Sequence, residues 1–430
     1  MRARRVLTMA AALSAFCFAP GMAGQVRFHD LFDFGSAGGF GSPIGVVVGG
    51  NGDLFVLYGD IVGGGAVYHL QPGPPGQKWT GAMIYNFTGQ TGDAANVTSL
   101  AIPPGANGVI YGSSSGGGIY GYGTVFELIP PASGDAWTDV VLHSFSGMDG
   151  LFPAGIIFAN GALYGVATNG GDYGQGTVFQ LTQDSSGNWS EKTLYHFTGG
   201  EDGGYPTGIA TDTSGVLYGT AAQGGSVGEG AVFSLTRPAA GRGAWAETVV
   251  YSFLGGEAGA SPASPVIGPD GTIYGTTGSG VFALTRPSAG GAWTESTVHS
   301  FWGAVIGGPD SPIVLRDGAI YGSTSPLICI CTCSGGGVYQ LQQPAGAVPG
   351  SPWNATLLHR FLEDSVPYGP LVVNNKGTLL GGSAGGLDYG GFVYALEPDS
   401  AGVEDSDENV QPNSICGSPV SAIVNGWRRK

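Results

Sequence analysis

The residues with chemistry to offer are acids that recur at one place in a repeating pattern. Asp93, Asp149, Glu201, Asp202, Glu257, Asp310 and Asp364 each come shortly after a phenylalanine that closes an apolar run. The same stretches bring the aromatics Phe40, Phe152, Tyr205, Trp302 and Tyr368, and a second set of loops adds Tyr120, Tyr122, Tyr173 and Tyr389. Carboxylates accept hydrogen bonds from sugar hydroxyls, and aromatic rings stack on the C–H faces of sugars. The pattern therefore predicts a polysaccharide-binding rim built from Asp149, Asp202, Glu257, Asp310, Asp364, Tyr205, Trp302 and Tyr368. The competing reading is local. An Asp-Gly pair makes a tight turn unaided, which alone accounts for Asp149-Gly150 and Asp202-Gly203.

Other chemistries find less support. Calcium takes six to eight oxygens, so a ring of acids is a weak calcium signal, but these acids come from different repeats and no D-x-D-x-D-G loop appears. His143, His299 and His359 stand where other repeats have Tyr85, Tyr195 or Tyr251, so they fill a shared aromatic slot rather than a metal site, and His196 lies one place further on. G-x-S-x-G strings occur at Gly112 to Gly116, Gly224 to Gly228 and Gly381 to Gly385, but they belong to the glycine-bounded strand pattern and not to a strand-to-helix elbow, and no H-E-x-x-H is present. No catalytic residue is assigned.

Cysteine is concentrated. Of five, Cys17 lies in the N-terminal apolar run, leaving Cys329, Cys331, Cys333 and Cys416. In an oxidising compartment an even count favours disulfides, and each of the three possible pairings links Cys416 to the cluster. A thiolate metal site is the alternative.

The elements that position these groups are short strands. Trp189 to Leu235 serves as a template: WSEKTLYHF, a brief run around Ile209, then VLYG from Val216 and AVFSL from Ala231. Each segment is rich in β-branched and aromatic residues and bounded by glycine, which reads as strand. Between the second and third segments sit Asn160-Gly161, Asp270-Gly271 or Asp317-Gly318 in sister copies, pairs that close tight hairpins.

The first segment recurs seven times, ending at Phe34, Phe87, Phe145, Phe197, Phe253, Phe301 and Phe361, and six copies open with a tryptophan, Trp79, Trp137, Trp189, Trp245, Trp293 and Trp353. The third carries Phe55, Tyr111, Tyr164, Tyr218, Tyr274, Tyr321 and Leu380 at one equivalent place. From residue 28 to 396 the repeat averages about 53 residues, the length of a four-stranded propeller blade. A lone four-stranded sheet cannot bury both faces. Closing a ring removes the exposed ends, so the expected fold is all-β, a seven-bladed propeller of four-stranded antiparallel blades, with an open β-solenoid as the alternative. Alternation in such a meander places the first-to-second and third-to-fourth loops on one rim.

The ends of the chain differ from the repeats. Arg2, Arg4 and Arg5 precede an apolar run from Val6 to Ala19 and the small-residue stretch Gly21-Met22-Ala23, the pattern of a secretory leader. The expected domains are 1-23 leader, 24-396 propeller and 397-430 acidic tail tethered by Cys416. Glycine numbers 82 and proline 27, in register with the strands and hence at turns, while charged residues make up only 11%. Without the three leader arginines the net charge falls from −16 to −19. Such a chain repels phosphate backbones, which excludes nucleic acid as an expected partner.

LYGTAAQGG (Leu217 to Gly225), GQGTVFQLT (Gly174 to Thr182) and WSEKTLYHFTGGEDGGYP (Trp189 to Pro206) resemble the Gloeo/Verruco (GloVer) tandem repeat of exported bacterial proteins with varied C-terminal anchors. The resemblance covers residues 79 to 396, and 28 to 70 in degenerate form. It implies a secreted, periplasmic or cell-surface protein and brings no catalytic residues. The C-terminus departs from it: past the acidic stretch Glu404 to Glu408, only Ile415 to Trp427 is mildly apolar, too short to span a bilayer, before Arg428-Arg429-Lys430. The leading expectation is a non-catalytic binding or scaffolding propeller for polysaccharide or a surface protein. A carbohydrate-active lyase or hydrolase using rim carboxylates is the alternative.

Overall fold

A computed structural model describes residues 26–398 apart from short interior stretches, the longest being 302–307 and 325–334. The chain divides into two units after Pro398, the second of which lies outside the described residues. The described strands form seven antiparallel sheets of four, a seven-bladed β-propeller. The last strand, β28 (Phe392–Pro398), runs two residues past the expected domain limit.

The sheets are out of phase with the sequence repeat by one strand. Blade 1 comprises β2 (Gly41–Val48), β3 (Leu54–Asp60), β4 (Ala66–Gln71) and β5 (Thr80–Asn86), so its outer strand is the first segment of the following repeat. The first copy of that segment, β1 (Val26–Asp33), is thereby left over. It pairs with β28, from Val26 opposite Pro398 to Asp33 opposite Phe392, and completes blade 7. The two ends of the repeat array are thus hydrogen-bonded in one sheet, which closes the ring.

The outer strands share a device that their sequence hides. WSEKTLYHF has consecutive apolar residues where strict alternation would put one on each face. In blade 3, β12 (Thr177–Gln183) pairs with β13 (Trp189–His196) so that Val178 faces Tyr195 and Phe179 faces Thr193, leaving Leu194 as a β-bulge. The same bulge falls at Leu31, Ile84, Leu142, Val250, Val298 and Leu358. It adds twist where the strand meets the next blade and turns the following aromatic inward. The histidines behave as expected: His143, His299 and His359 occupy the slot of Tyr85, Tyr195 and Tyr251, each opposite the central valine of the neighbouring strand.

The closing phenylalanines make a second ring inside the first. Each reaches across a junction to an aromatic of the next blade, as in Phe87–Phe126 (4.9 Å), Phe145–Phe179 (5.0 Å), Phe197–Phe233 (4.9 Å) and Phe361–Tyr394 (5.2 Å), while Phe34–Tyr68 (5.0 Å) joins blade 7 to blade 1. Tilted and edge-on pairs at this separation add to simple area burial. Room for the rings comes from glycine: a Cβ on Gly219 would lie 2.1 Å from Phe233 Cζ. Core burial therefore sits mainly between blades, and no blade buries its faces alone.

Candidate functional site

The loops that enter each inner strand and those joining its second and third strands share one face, as expected. Their backbone is tied together. Gly171 N donates to Gly147 O at 2.9 Å and Gly225 N to Gly200 O at 2.9 Å, linking the two loop sets. Across the junctions, Phe152 N donates to Tyr122 O (3.0 Å), Tyr205 N to Gln175 O (2.8 Å) and Ser261 N to Glu229 O (2.9 Å). Phe152, Tyr205 and Ser261 each precede a proline yet have φ of 58°, 54° and 51°. A bulky residue at positive φ is disfavoured and is disfavoured further before proline. The neighbouring loop's carbonyl holds it there. The described loops of blades 2 to 4 on this face are consequently tied to one another through their backbone.

Exposed apolar residues segregate to this face. Of twelve large exposed hydrophobic residues among the described ones, eight lie on it: Ile119, Tyr120, Tyr122, Met148, Phe152, Tyr173, Val227 and Leu254. Phe152 is 43% and Tyr173 61% exposed. Scattered exposed apolar groups need no explanation, but most of these are gathered on one face. Sequence reasoning picked out the aromatics and passed over Ile119, Met148, Val227 and Leu254, whose loop position was the available signal.

The acids have a different employment. Asp149 Oδ1 accepts from Ser146 N (2.8 Å) and Ser146 Oγ (2.9 Å), and Asp149 Oδ2 lies 2.7 Å from His143 Nε2. Asp202 accepts from Thr198 N (2.8 Å), Thr198 Oγ1 (2.5 Å) and Tyr195 OH (3.0 Å). Asp93 closes its loop likewise on Thr88. Each of these carboxylates latches its own loop through these bonds. Burial raises the pKa of Asp149, but the hydrogen bonds from His143 and Ser146 outweigh it and bring it down to about 2. Of the sequence-predicted rim residues, Asp149, Asp202 and Tyr205 lie within the described residues and on this face, whereas Tyr368, expected in a rim loop, lies inside the inner strand of blade 7, opposite Gly382. Glu257, Trp302, Asp310 and Asp364 lie outside them, as do the leader, Cys329, Cys331, Cys333 and Cys416.

A second set of acids went unnoticed in the sequence. Asp139, Glu191, Glu247 and Glu295 each follow a tryptophan by two residues, on the outer strand of the next blade. The W-x-[DE] spacing in four aligned copies was the signal. Burial, with Asp93 nearby, pushes Asp139 up to about 7, and burial with Asp202 pushes Glu247 up to about 7. Asp139 Oδ1, Glu247 Oε1 and Glu295 Oε1 are buried without a hydrogen-bond partner. At the junction of blades 2 and 3, His143, Asp149 and Glu191 offer ligand atoms all within 4.8 Å of one another.

On the opposite face, a cleft of about 660 Å³ lies where blade 7 meets blade 1, lined by Asn51, Lys78, Trp79, Asn374, Lys376 and Glu397 among others. Lys78 there is paired with Asp30 at 3.1 Å. No helix among the described residues is long and apolar enough to cross a membrane.

Solved structures with this fold are distant in sequence. The extracellular domain assigned to a one-component system of B. thetaiotaomicron matches at 11% identity and TM-score 0.55, covering 87% of this chain and 42% of that one. The extracellular domain assigned to a hybrid two-component system of the same organism matches at 14% and 0.51, over 87% and 41%. A gluconolactonase from Xanthomonas campestris matches at 14% and 0.42, over 70% and 85%. The likeness to the two extracellular domains speaks for the fold alone. Comparison with curated proteins gives no match. A family model for the Gloeobacter/Verrucomicrobia repeat matches residues 57–285, more than half of the chain. With the sevenfold strand quartet, its glycine turns and the closing aromatics all in register, the chain belongs to the Gloeobacter/Verrucomicrobia repeat family.

Proposed function

We propose that this protein is an exported, non-catalytic propeller that binds polysaccharide on its loop face. The observation that carries the reading is the gathering of Tyr120, Tyr122, Phe152 and Tyr173 on one face, where the described loops of blades 2 and 3 are fixed by backbone hydrogen bonds. Rings held rigidly lose little entropy on stacking against sugar, which favours binding. Charged residues make up only 11% of the chain, which suits a neutral glycan better than a charged partner. Export rests on the leader-like first 23 residues.

The latched acids argue for binding over hydrolysis. An acid–base pair needs two carboxyls free to face substrate, whereas Asp149 and Asp202 are committed to their own loops. Hydrogen bonding to sugar hydroxyls falls instead to the tyrosine hydroxyls and loop amides of this face.

The test is a glycan array followed by titration calorimetry on the full chain. Binding of a polysaccharide, weakened about tenfold by Phe152→Ala or Tyr173→Ala with an unchanged melting temperature, is the expected result. Absence of binding, or binding indifferent to both substitutions, overturns the reading. Release of new reducing ends from a bound glycan would replace the binder with an enzyme.

A further inference from the structure

We propose that His143, Asp149 and Glu191 form a binding site for a divalent transition-metal cation such as Zn²⁺ or Mn²⁺, bridging blades 2 and 3. The three side chains come from three places: the outer strand of blade 2, β9 (Thr138–Ser144), the loop that follows it, and β13 of blade 3. One imidazole nitrogen and two carboxylate oxygens all lie within 4.8 Å of one another. Ligands around a tetrahedral Zn²⁺ with bonds near 2.1 Å stand about 3.4 Å apart, so side-chain adjustments of about an ångström complete the geometry.

Both carboxylates are already oriented. Asp149 Oδ1 is held by Ser146 N and Oγ, which leaves Oδ2 toward His143. Glu191 Oε1 accepts from Thr193 Oγ1 at 3.0 Å. Such outer hydrogen bonds are what fix first ligands in metal sites. The site is also reachable, since the side chains of His143 and Asp149 are 22% and 17% exposed. The donor set is one nitrogen and two oxygens, which suits Zn²⁺ or Mn²⁺ better than the all-oxygen shell calcium wants.

The flanking junctions supply an internal control. Tyr85, Asp93 and Asp139 between blades 1 and 2, and Tyr195, Asp202 and Glu247 between blades 3 and 4, repeat the arrangement with a phenol in place of the imidazole. A protonated phenol is a poor ligand, so these junctions keep two acids and lack the nitrogen. One substitution in the aromatic slot therefore separates a metal site from a plain carboxyl pair.

The test is calorimetric titration of the metal-free full chain with Zn²⁺ and Mn²⁺, with melting followed in parallel. One equivalent is expected to bind and raise the melting temperature. His143→Tyr, which installs the residue natural to both flanking slots, and Glu191→Gln should each weaken binding at least tenfold while circular dichroism stays unchanged. Tyr195→His should add a second equivalent by completing the trio with Asp202 and Glu247. No binding to the wild-type chain, or binding equal in all four proteins, overturns the proposal and assigns any uptake to surface carboxylates.

Discussion

Gly176, in a loop of blade 3, backs directly onto Pro206, the third residue of the inner strand of blade 4: a Cβ at Gly176 would lie 2.4 Å from the Pro206 Cδ. Gly123 stands in the same relation to Pro153, Gly230 to Pro262 and Gly391 to Pro43, so the contact welds successive junctions around the ring. Gly176 also has φ of 98°, which no side chain adopts comfortably. Gly176→Ala is expected to cost about 3 kcal/mol in chemical denaturation, because strain and overlap add at a place hemmed in by the Pro206 ring and the carbonyl oxygens of Ala167 and Thr168. A change below about 0.5 kcal/mol would show that the weld is slack.

The closing aromatics predict a second loss. Phe197 is fully buried and meets Phe233 across the junction. Phe197→Ala should cost about 3–5 kcal/mol, whereas Tyr173→Ala on the exposed face should leave stability within about 0.5 kcal/mol. Equal effects of the two, measured by urea melts, would contradict the placement of the core between blades.

Ring closure rests on β1. Phe28→Ala removes the aromatic anchor of this strand, since Phe28 stands opposite Leu396 and packs on His359 at 3.9 Å and on Phe361. Blade 7 should then open first, seen as accelerated hydrogen exchange in β26 (Ser365–Val373), β27 (Leu379–Gly385) and β28 before the other blades. Uniform acceleration in all seven would indicate that closure is not seated there.

The raised carboxyls predict a pH dependence. Asp139 and Glu247 titrate near 7 in the fold against about 4 in an unfolded chain. Their folded pKa exceeds the unfolded one, so they favour folding while protonated, and that contribution declines as pH rises from about 4 to 7. Glu247→Gln should therefore raise stability at pH 8 by about 1 kcal/mol after allowing for solvent screening, and leave it unchanged at pH 4. The opposite sign holds for Asp149, lowered to about 2, whose contribution is present above about 4 and is lost as pH falls toward 2. Melting profiles of the wild type and Glu247→Gln that run parallel from pH 4 to 8 would refute the assignment.

Much of the architecture was legible in the sequence because a repeat states its register many times over. The seven closing phenylalanines, the shared slot of His143 and Tyr195, and the glycine-bounded strands all stand where the pattern puts them. The acids were legible as positions but not as roles. Asp149 and Asp202 looked like a rim open to ligand, and the distances from Ser146 and Thr198 show them serving the loop, as the Asp-Gly turn reading held. The bulges at Leu194 and its six counterparts were invisible, since one extra residue in a strand leaves no mark of its own in composition.

By itself the sequence determined the number of blades, the strands within them and the family, because hydrophobic period and turn chemistry are local properties that repeat. Only the tertiary structure decided which strand completes which sheet, that β1 closes the ring against β28, and that His143, Asp149 and Glu191 meet. Those are relations between different repeats, as Glu191 of blade 3 is to His143 and Asp149 of blade 2, and a one-strand shift between repeat and blade, fixed by burial across each junction, sets them all at once.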